Sequence, residues 1–197
     1  MTVGDPFSVL VLAGGASRRM GTDKRAVPIE GTPMLLRTIE RLAGLPVMLA
    51  IDPRDPPNVP LPAHVRVIPD SRPGEGPLAA LEAGLAALTV PTVLVVAADM
   101  PWVEPSVLRL LARRLASHAE VDVACLADSA GPRPLPLAVR RAATLAHLTS
   151  LLDTGERRLR ALLPGAAVIP PDEWRPLDPR QGTLRDVDVP ADLATVP

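Results

Sequence analysis

Apolar positions follow two alternating rhythms along this chain. Short runs rich in Val and Leu stand at residues 9–13, 47–51, 65–68 and 92–98, unbroken except by Arg66 in the third and Thr92 at the start of the fourth. The first, five apolar residues in a row, is what a strand buried on both faces looks like. Between them, apolar residues recur every three or four positions. Leu35, Leu36, Ile39 and Leu42 form one stripe, and Leu108, Leu111 and Leu115 another. That spacing puts them on one face of a helix. The pattern predicts strands over 8–13, 47–51, 65–68, 92–98, 121–127 and 135–139, with short extended pieces at 26–30 and 168–169. It predicts helices over 32–44, 77–88, 104–117, 141–152 and 155–163. Thr32 is expected to cap the first of these, with Pro33 at its first position. Arg109, Arg113 and Arg114 are expected on a solvated helix face. Alternating strands and helices predict a three-layer, Rossmann-like α/β fold with a mostly parallel central sheet and helices on both faces. Ligands of such sheets bind beyond the carboxyl ends of the strands. The loops after Ala13, Ile68 and Ala98 are therefore expected to share one crevice.

Composition narrows the function. The 197 residues are 47% apolar and carry a net charge of −1. That predicts one domain over 1–197 with a sizeable core, and argues against disorder. Balanced charge and 2% aromatic residues argue against nucleic acid as a partner. No apolar run approaches the ~18 residues of a membrane helix. The start of the chain lacks the pattern of a secretory leader. A cytoplasmic enzyme with no membrane partner is the expectation. The one cysteine, Cys125, excludes an internal disulfide and reads as a buried, inert thiol. The histidines, His64, His118 and His147, have no metal-ligand spacing.

Candidate chemistry begins where the first strand stops. Gly14 and Gly15 are followed by Ser17, Arg18, Arg19, Gly21 and Lys24. Backbone N–H groups, a hydroxyl and cations thus converge past a strand's carboxyl end, which suits an anion such as a triphosphate. The glycine spacing fits neither the P-loop nor the dinucleotide fingerprint. Lys24 is the only lysine among 21 basic residues. A compact ammonium kept among guanidiniums reads as a phosphate contact. Asp70 with Gly76, Pro77 and Leu78 follows the third run and suits a base and ribose. Asp99 follows the most apolar run. A carboxylate there is costly unless paired or metal-bound, so Asp99 reads as a Mg²⁺ ligand. The next helix starts nearer 104, too far on for Asp99 to cap it.

The run Leu12-Ala13-Gly14-Gly15-x-Ser17-x-Arg19-Met20-Gly21-x-Asp23-Lys24 resembles the signature of nucleotidyltransferases that build nucleotide-activated cofactors and sugars. More narrowly it resembles the molybdenum cofactor guanylyltransferases, and the likeness extends from residue 8 to about 194. The resemblance implies the nucleotidyltransferase fold. It also implies nucleotide binding by Leu12, Ala13, Gly14, Lys24, Asp70 and Asp99, joined here by Gly15, Gly76, Pro77 and Leu78. Arg19 and Lys24 would stabilise phosphates, and Asp99 and Asp188 would hold Mg²⁺. Arg157 and Arg158, in an intact G-E-R-R motif, and Asp186 would lie on the pterin side. The chain departs from the family pattern where Ala80 replaces a glycine and where Asp186 and Asp188 replace asparagines. A further family asparagine falls on Ala50, with Asp52 nearby. The implied reaction moves GMP from GTP to the terminal phosphate of molybdopterin, with or without molybdenum, and releases pyrophosphate. Cofactor-delivery and acceptor proteins would be the partners. The rival readings are cytidylyl transfer, another small phosphorylated acceptor, or a nucleotide-binding protein without turnover.

Overall fold

The structure is a computed structural model and describes residues 7–14 and 23–187. The strands are β1 (Phe7–Leu12), β2 (Pro28–Ile29), β3 (Thr32–Pro33), β4 (Val47–Ile51), β5 (Arg66–Pro69), β6 (Thr92–Ala97), β7 (Val123–Asp128), β8 (Gly131–Arg140) and β9 (Ala167–Ile169). The α-helices are α1 (Met34–Arg41), α2 (Pro77–Ala87), α3 (Pro105–Ser117), α4 (Arg141–Asp153) and α5 (Pro171–Trp174). Seven strands make the main sheet in the order β5-β4-β1-β6-β8-β7-β9. The pairs from β5 to β6 are parallel, and so is β7 with β9. β8 runs against both its neighbours. Only two residues, Ser129 and Ala130, join β7 to β8, a link too short for anything but a hairpin.

The layers follow from alternation along β1, every residue of which is buried. Val9 and Val11 pack with Leu35, Ile39, Leu108 and Leu111 of α1 and α3. Leu10 and Leu12 face the other way, towards Leu78 and Leu81 of α2 and Leu148 and Leu152 of α4. α2 approaches β1 closely at Gly84, where an added Cβ would stand 2.2 Å from Leu10 Cδ2. The three-layer α/β expectation is met, and no described helix is long and apolar enough to cross a membrane.

Three local expectations are corrected. Thr32 does not cap α1. Glu30 and Gly31 both have positive φ, 48° and 84°, and close a hairpin in which Thr32 pairs with Ile29. The helix starts at Met34, whose N–H donates to the Val27 carbonyl at 2.9 Å. The stretch 155–163 is not one helix, because Gly155 ends α4 with a φ of 88° and only Leu159–Leu162 winds, as a 3-10 turn. Arg114 does not belong to a solvated face. It donates to the Val168 carbonyl at 3.1 Å and pairs with Glu173, tying α3 to β9 and α5.

Candidate active site

β5, β4, β1 and β6 stand side by side and end on one rim. Backbone bonds extend the ladders one step past the strands. Ala13 N–H donates to the Ala50 carbonyl at 2.9 Å, Ala98 N–H to Leu12 at 2.9 Å, and Asp70 N–H to Ile51 at 2.7 Å. Gly14, Asp52, Asp70 and Asp99 are thereby set along the same edge. From β1 the chain goes to β4 and β5 on one side, then crosses to β6 on the other. Order reverses between β1 and β6, which is where open parallel sheets bind ligands.

Lys24 and Asp99 meet at that point. Lys24 Nζ donates to Asp99 Oδ2 at 2.7 Å, and both side chains are largely buried. A short 3-10 turn, Lys24–Ala26, presents the lysine, and Asp23 caps it by accepting the Arg25 N–H at 3.0 Å. Arg25 is only 6% exposed. Its guanidinium donates to the Ala13 carbonyl at 3.0 Å, to the Asp55 carbonyl at 2.9 Å and to Asp23 Oδ1 at 2.8 Å. One arginine thus staples the turn to the end of β1 and to the loop after β4. Burial opposes ionisation of Asp23, but hydrogen bonds from Arg25 and from the Asn58 N–H outweigh it and hold the carboxyl below its ordinary value. Sequence reading missed Arg25. The available signal was an acid and a base two residues apart, flanking the lone lysine.

The same rim carries a cleft of about 300 Å³, whose lining includes Gly14, Asp52, Arg54, Asp70, Gly76 and Pro77. Asp70 is buried and accepts the Arg72 N–H at 2.8 Å. Burial raises its pKa, the Arg72 bond opposes the rise, and the charges of Asp52 and Glu75 add to it. Ala50, where a family asparagine was expected, is wholly buried inside β4. Asp52 is the residue that reaches the cleft. It binds Arg54 through both carboxylate oxygens, at 3.1 and 2.9 Å. Those bonds lower its pKa.

Past Asp99 the C-terminal segment returns. Val187 N–H donates to the Asp99 carbonyl at 3.1 Å, which sets exposed Asp186 one residue away. Arg185 lies over the Trp102 ring, 5.2 Å from its centroid. Arg157 sits against the loop that carries Gly76, with Nη2 2.9 Å from Glu75 Oε2, and Arg158 is exposed and paired with Glu156. Gly15, Arg19 and Asp188 lie outside the described residues. Among the described residues no cluster of three or more His, Cys, Asp or Glu side chains is arranged for a metal. The Asp99 carboxylate, paired with Lys24, would suit a Mg²⁺ ion that takes most of its ligands from substrate phosphates and water.

Residues 9–168 match the family model of the MobA-like NTP transferase domain. The chain belongs to this family. It is a nucleotidyltransferase. One MobA-like relative, "Probable molybdenum cofactor guanylyltransferase" of Chloroflexus aggregans, is 34% identical over 96% of this chain and 93% of its own. The "Molybdenum cofactor guanylyltransferase" of Rhodobacter capsulatus is 31% identical over 94% and 92%. The crystal structure of molybdopterin-guanine dinucleotide biosynthesis protein A from Archaeoglobus fulgidus superposes with a TM-score of 0.79, at 23% identity, over 95% of each chain. At that identity the superposition establishes the shared MobA-like fold.

Proposed function

We propose that this chain transfers GMP from GTP to the terminal phosphate of molybdopterin. The observation that carries the reading is the 2.7 Å contact between Lys24 and Asp99 at the sheet's switch point, on the rim that also carries the Asp70 cleft. An oxygen of the acceptor phosphate attacks the α-phosphorus of GTP. The new P–O bond forms as the bond to the bridging oxygen breaks, and pyrophosphate leaves. No covalent intermediate on the protein is needed. The protein's work is to hold two anions in line and to balance the charge that grows between them. Lys24 offers a point charge to the phosphates, and Arg19 is assigned the same role. Gly14 and Gly15 let the triphosphate approach the backbone. Asp99, with Asp188, would hold Mg²⁺, which screens the phosphates and stabilises the leaving group.

The base choice rests on Asp70. An ionised carboxylate is acceptor-only. Guanine presents two adjacent N–H donors, at N1 and N2, whereas cytosine and adenine each pair one amino group with an acceptor. A buried carboxylate in a cleft of this size therefore favours guanine. Pro77 supplies apolar wall, whereas Leu78 is wholly buried in the core behind it. Asp186, one residue from the Val187 whose N–H donates to the Asp99 carbonyl, is assigned to the pterin together with the exposed Arg158.

Pyrophosphate release, measured with each of four nucleoside triphosphates plus molybdopterin, tests the reading. GTP is expected to be preferred, and Asp99→Ala to cut kcat by about 10²–10⁴. Preference for CTP, or near-normal turnover without Asp99, would overturn it.

A further inference from the structure

The G-E-R-R motif does something specific at the nucleotide side. α4 ends in a Schellman turn, with Gly155 N–H donating to the Leu152 carbonyl and Glu156 N–H to the Leu151 carbonyl, each at 3.0 Å. Glu156 then folds forward. Its Oε1 accepts the N–H groups of Arg157 and Arg158, at 2.8 and 2.9 Å, and Arg158 Nε at 3.1 Å. Arg158 is thus held by Glu156, and Arg157 leaves in the other direction. Its Nη1 donates to the carbonyls of Leu152 and Glu156, both at 2.8 Å. Its Nη2 reaches Glu75 at 2.9 Å, in an ion pair without hydrogen-bond alignment. Its own carbonyl accepts the Leu78 N–H at 3.4 Å, and a Cβ on Gly76 would stand 3.3 Å from it.

Those contacts bracket the loop that walls the cleft. Gly74 and Gly76 have φ of 82° and 91°, so the loop uses conformations that are entropically expensive to hold. Arg54 covers Gly74 from one side, with Nη2 2.7 Å from where a Cβ would be. Arg157 covers Gly76 from the other. We infer that Arg157 is a positioning residue for the nucleotide: it struts the 74–78 loop against the end of α4, and acts on the nucleotide side rather than on the pterin. The inference rests on the proposed function for the identity of the nucleotide. Arginine suits the task because its planar fork puts Nη1 on two carbonyls and Nη2 on a carboxylate, a span that the single nitrogen of an ammonium does not match.

The test varies GTP and molybdopterin independently for the wild type, Arg157→Ala, Arg157→Lys, Glu75→Gln and the Glu75→Gln/Arg157→Ala double variant. Nucleotide binding is measured in parallel by calorimetry, and Tm confirms folding. Because the ion pair is partly exposed, the expected effect of Arg157→Ala is about a five- to tenfold rise in KM and Kd for GTP. The acceptor KM and kcat stay close to wild type. Arg157→Lys does not rescue, and the double variant is no worse than Arg157→Ala because both changes break one contact. Glu75→Gln perturbs the fold least and reports the same split if Arg157→Ala folds poorly. A rise in acceptor KM with GTP binding unchanged would overturn the inference, as would no change in either. If the wild type prefers another nucleotide, the GTP reading fails. The strut is then judged by whether these variants weaken binding of that nucleotide.

Discussion

Lys24 can meet Asp99 because Arg25 holds the turn beneath it. The Arg25 guanidinium supplies donors to two backbone carbonyls from segments 30 and 12 residues away. Arg25→Met keeps the apolar stem but leaves the buried Ala13 carbonyl without that donor. The expected cost is about 1–3 kcal/mol, read from urea unfolding. Turnover is expected to fall further than stability alone explains, since Lys24 loses its support. Two aspartates of the site, Asp23 and Asp70, respond to pH with opposite sign. Asp23 is held below its ordinary value of 3.8, so its contribution to stability is present above that value and is lost as pH falls through the lowered one. Asp70 is raised, so its contribution is complete below 3.8 and is lost as pH rises through the raised value. Binding works the other way, because guanine's donors need the Asp70 carboxylate. KM for GTP is expected to climb on acidification at a pH above the ordinary carboxylate range. In Asp70→Asn that dependence disappears and KM is high throughout. A wild-type profile flat down to 3.8 would show that Asp70 does not read the base.

At the scale of elements, Gly84 decides how close α2 lies to the sheet. Alanine favours a helix over glycine by about 1 kcal/mol. Here the added methyl would collide with Leu10, whose branch carbons stand 2.2 and 2.7 Å away. Overpacking of that kind typically costs about 1–3 kcal/mol, so Gly84→Ala is expected to lower Tm despite its propensity. The same contrast between propensity and packing sets what the sequence could reveal. β1, β4, β6 and α3 were legible because burial on two faces, or on one helical stripe, leaves a periodic trace. The 28–33 hairpin and the end of α4 were not, because they depend on Glu30, Gly31 and Gly155 adopting positive φ, which has no period. Asp70 and Asp99 were legible because a carboxylate directly after a strand has few structural uses, and Lys24 because it is the only lysine in the chain. Arg25 was not. It donates to the backbone carbonyls of Ala13, Asp55 and Pro56, and every residue has one of those. Asp52 was displaced by two positions because the reach of β4 into the cleft depends on its pairing with β5, which only coordinates reveal.

On the scale of the whole molecule, charge does not explain attraction to a triphosphate, since the chain carries a net −1. The anion must be held by a few groups brought together from distant segments. Those groups sit where the sheet changes direction, on loops after β1, β4, β5 and β6, so a bound nucleotide ties together segments that otherwise meet only through the sheet. Binding to the folded state alone stabilises it, by about 2.7 kcal/mol when ligand stands at 100 times Kd. For a chain of this size each kcal/mol moves Tm by roughly 2–4 °C. GTP with Mg²⁺ is therefore expected to raise Tm by about 5–10 °C at that excess. CTP at the same concentration is expected to do less, because Asp70 would face an acceptor where guanine offers a donor. Asp99→Ala is expected to keep the part of the shift due to the base and to lose the part that depends on the metal. A thermal-shift series over four nucleotides, with and without Mg²⁺, separates these contributions. Equal shifts for GTP and CTP would remove Asp70 from base selection, and a full Mg²⁺-dependent shift in Asp99→Ala would move the metal elsewhere.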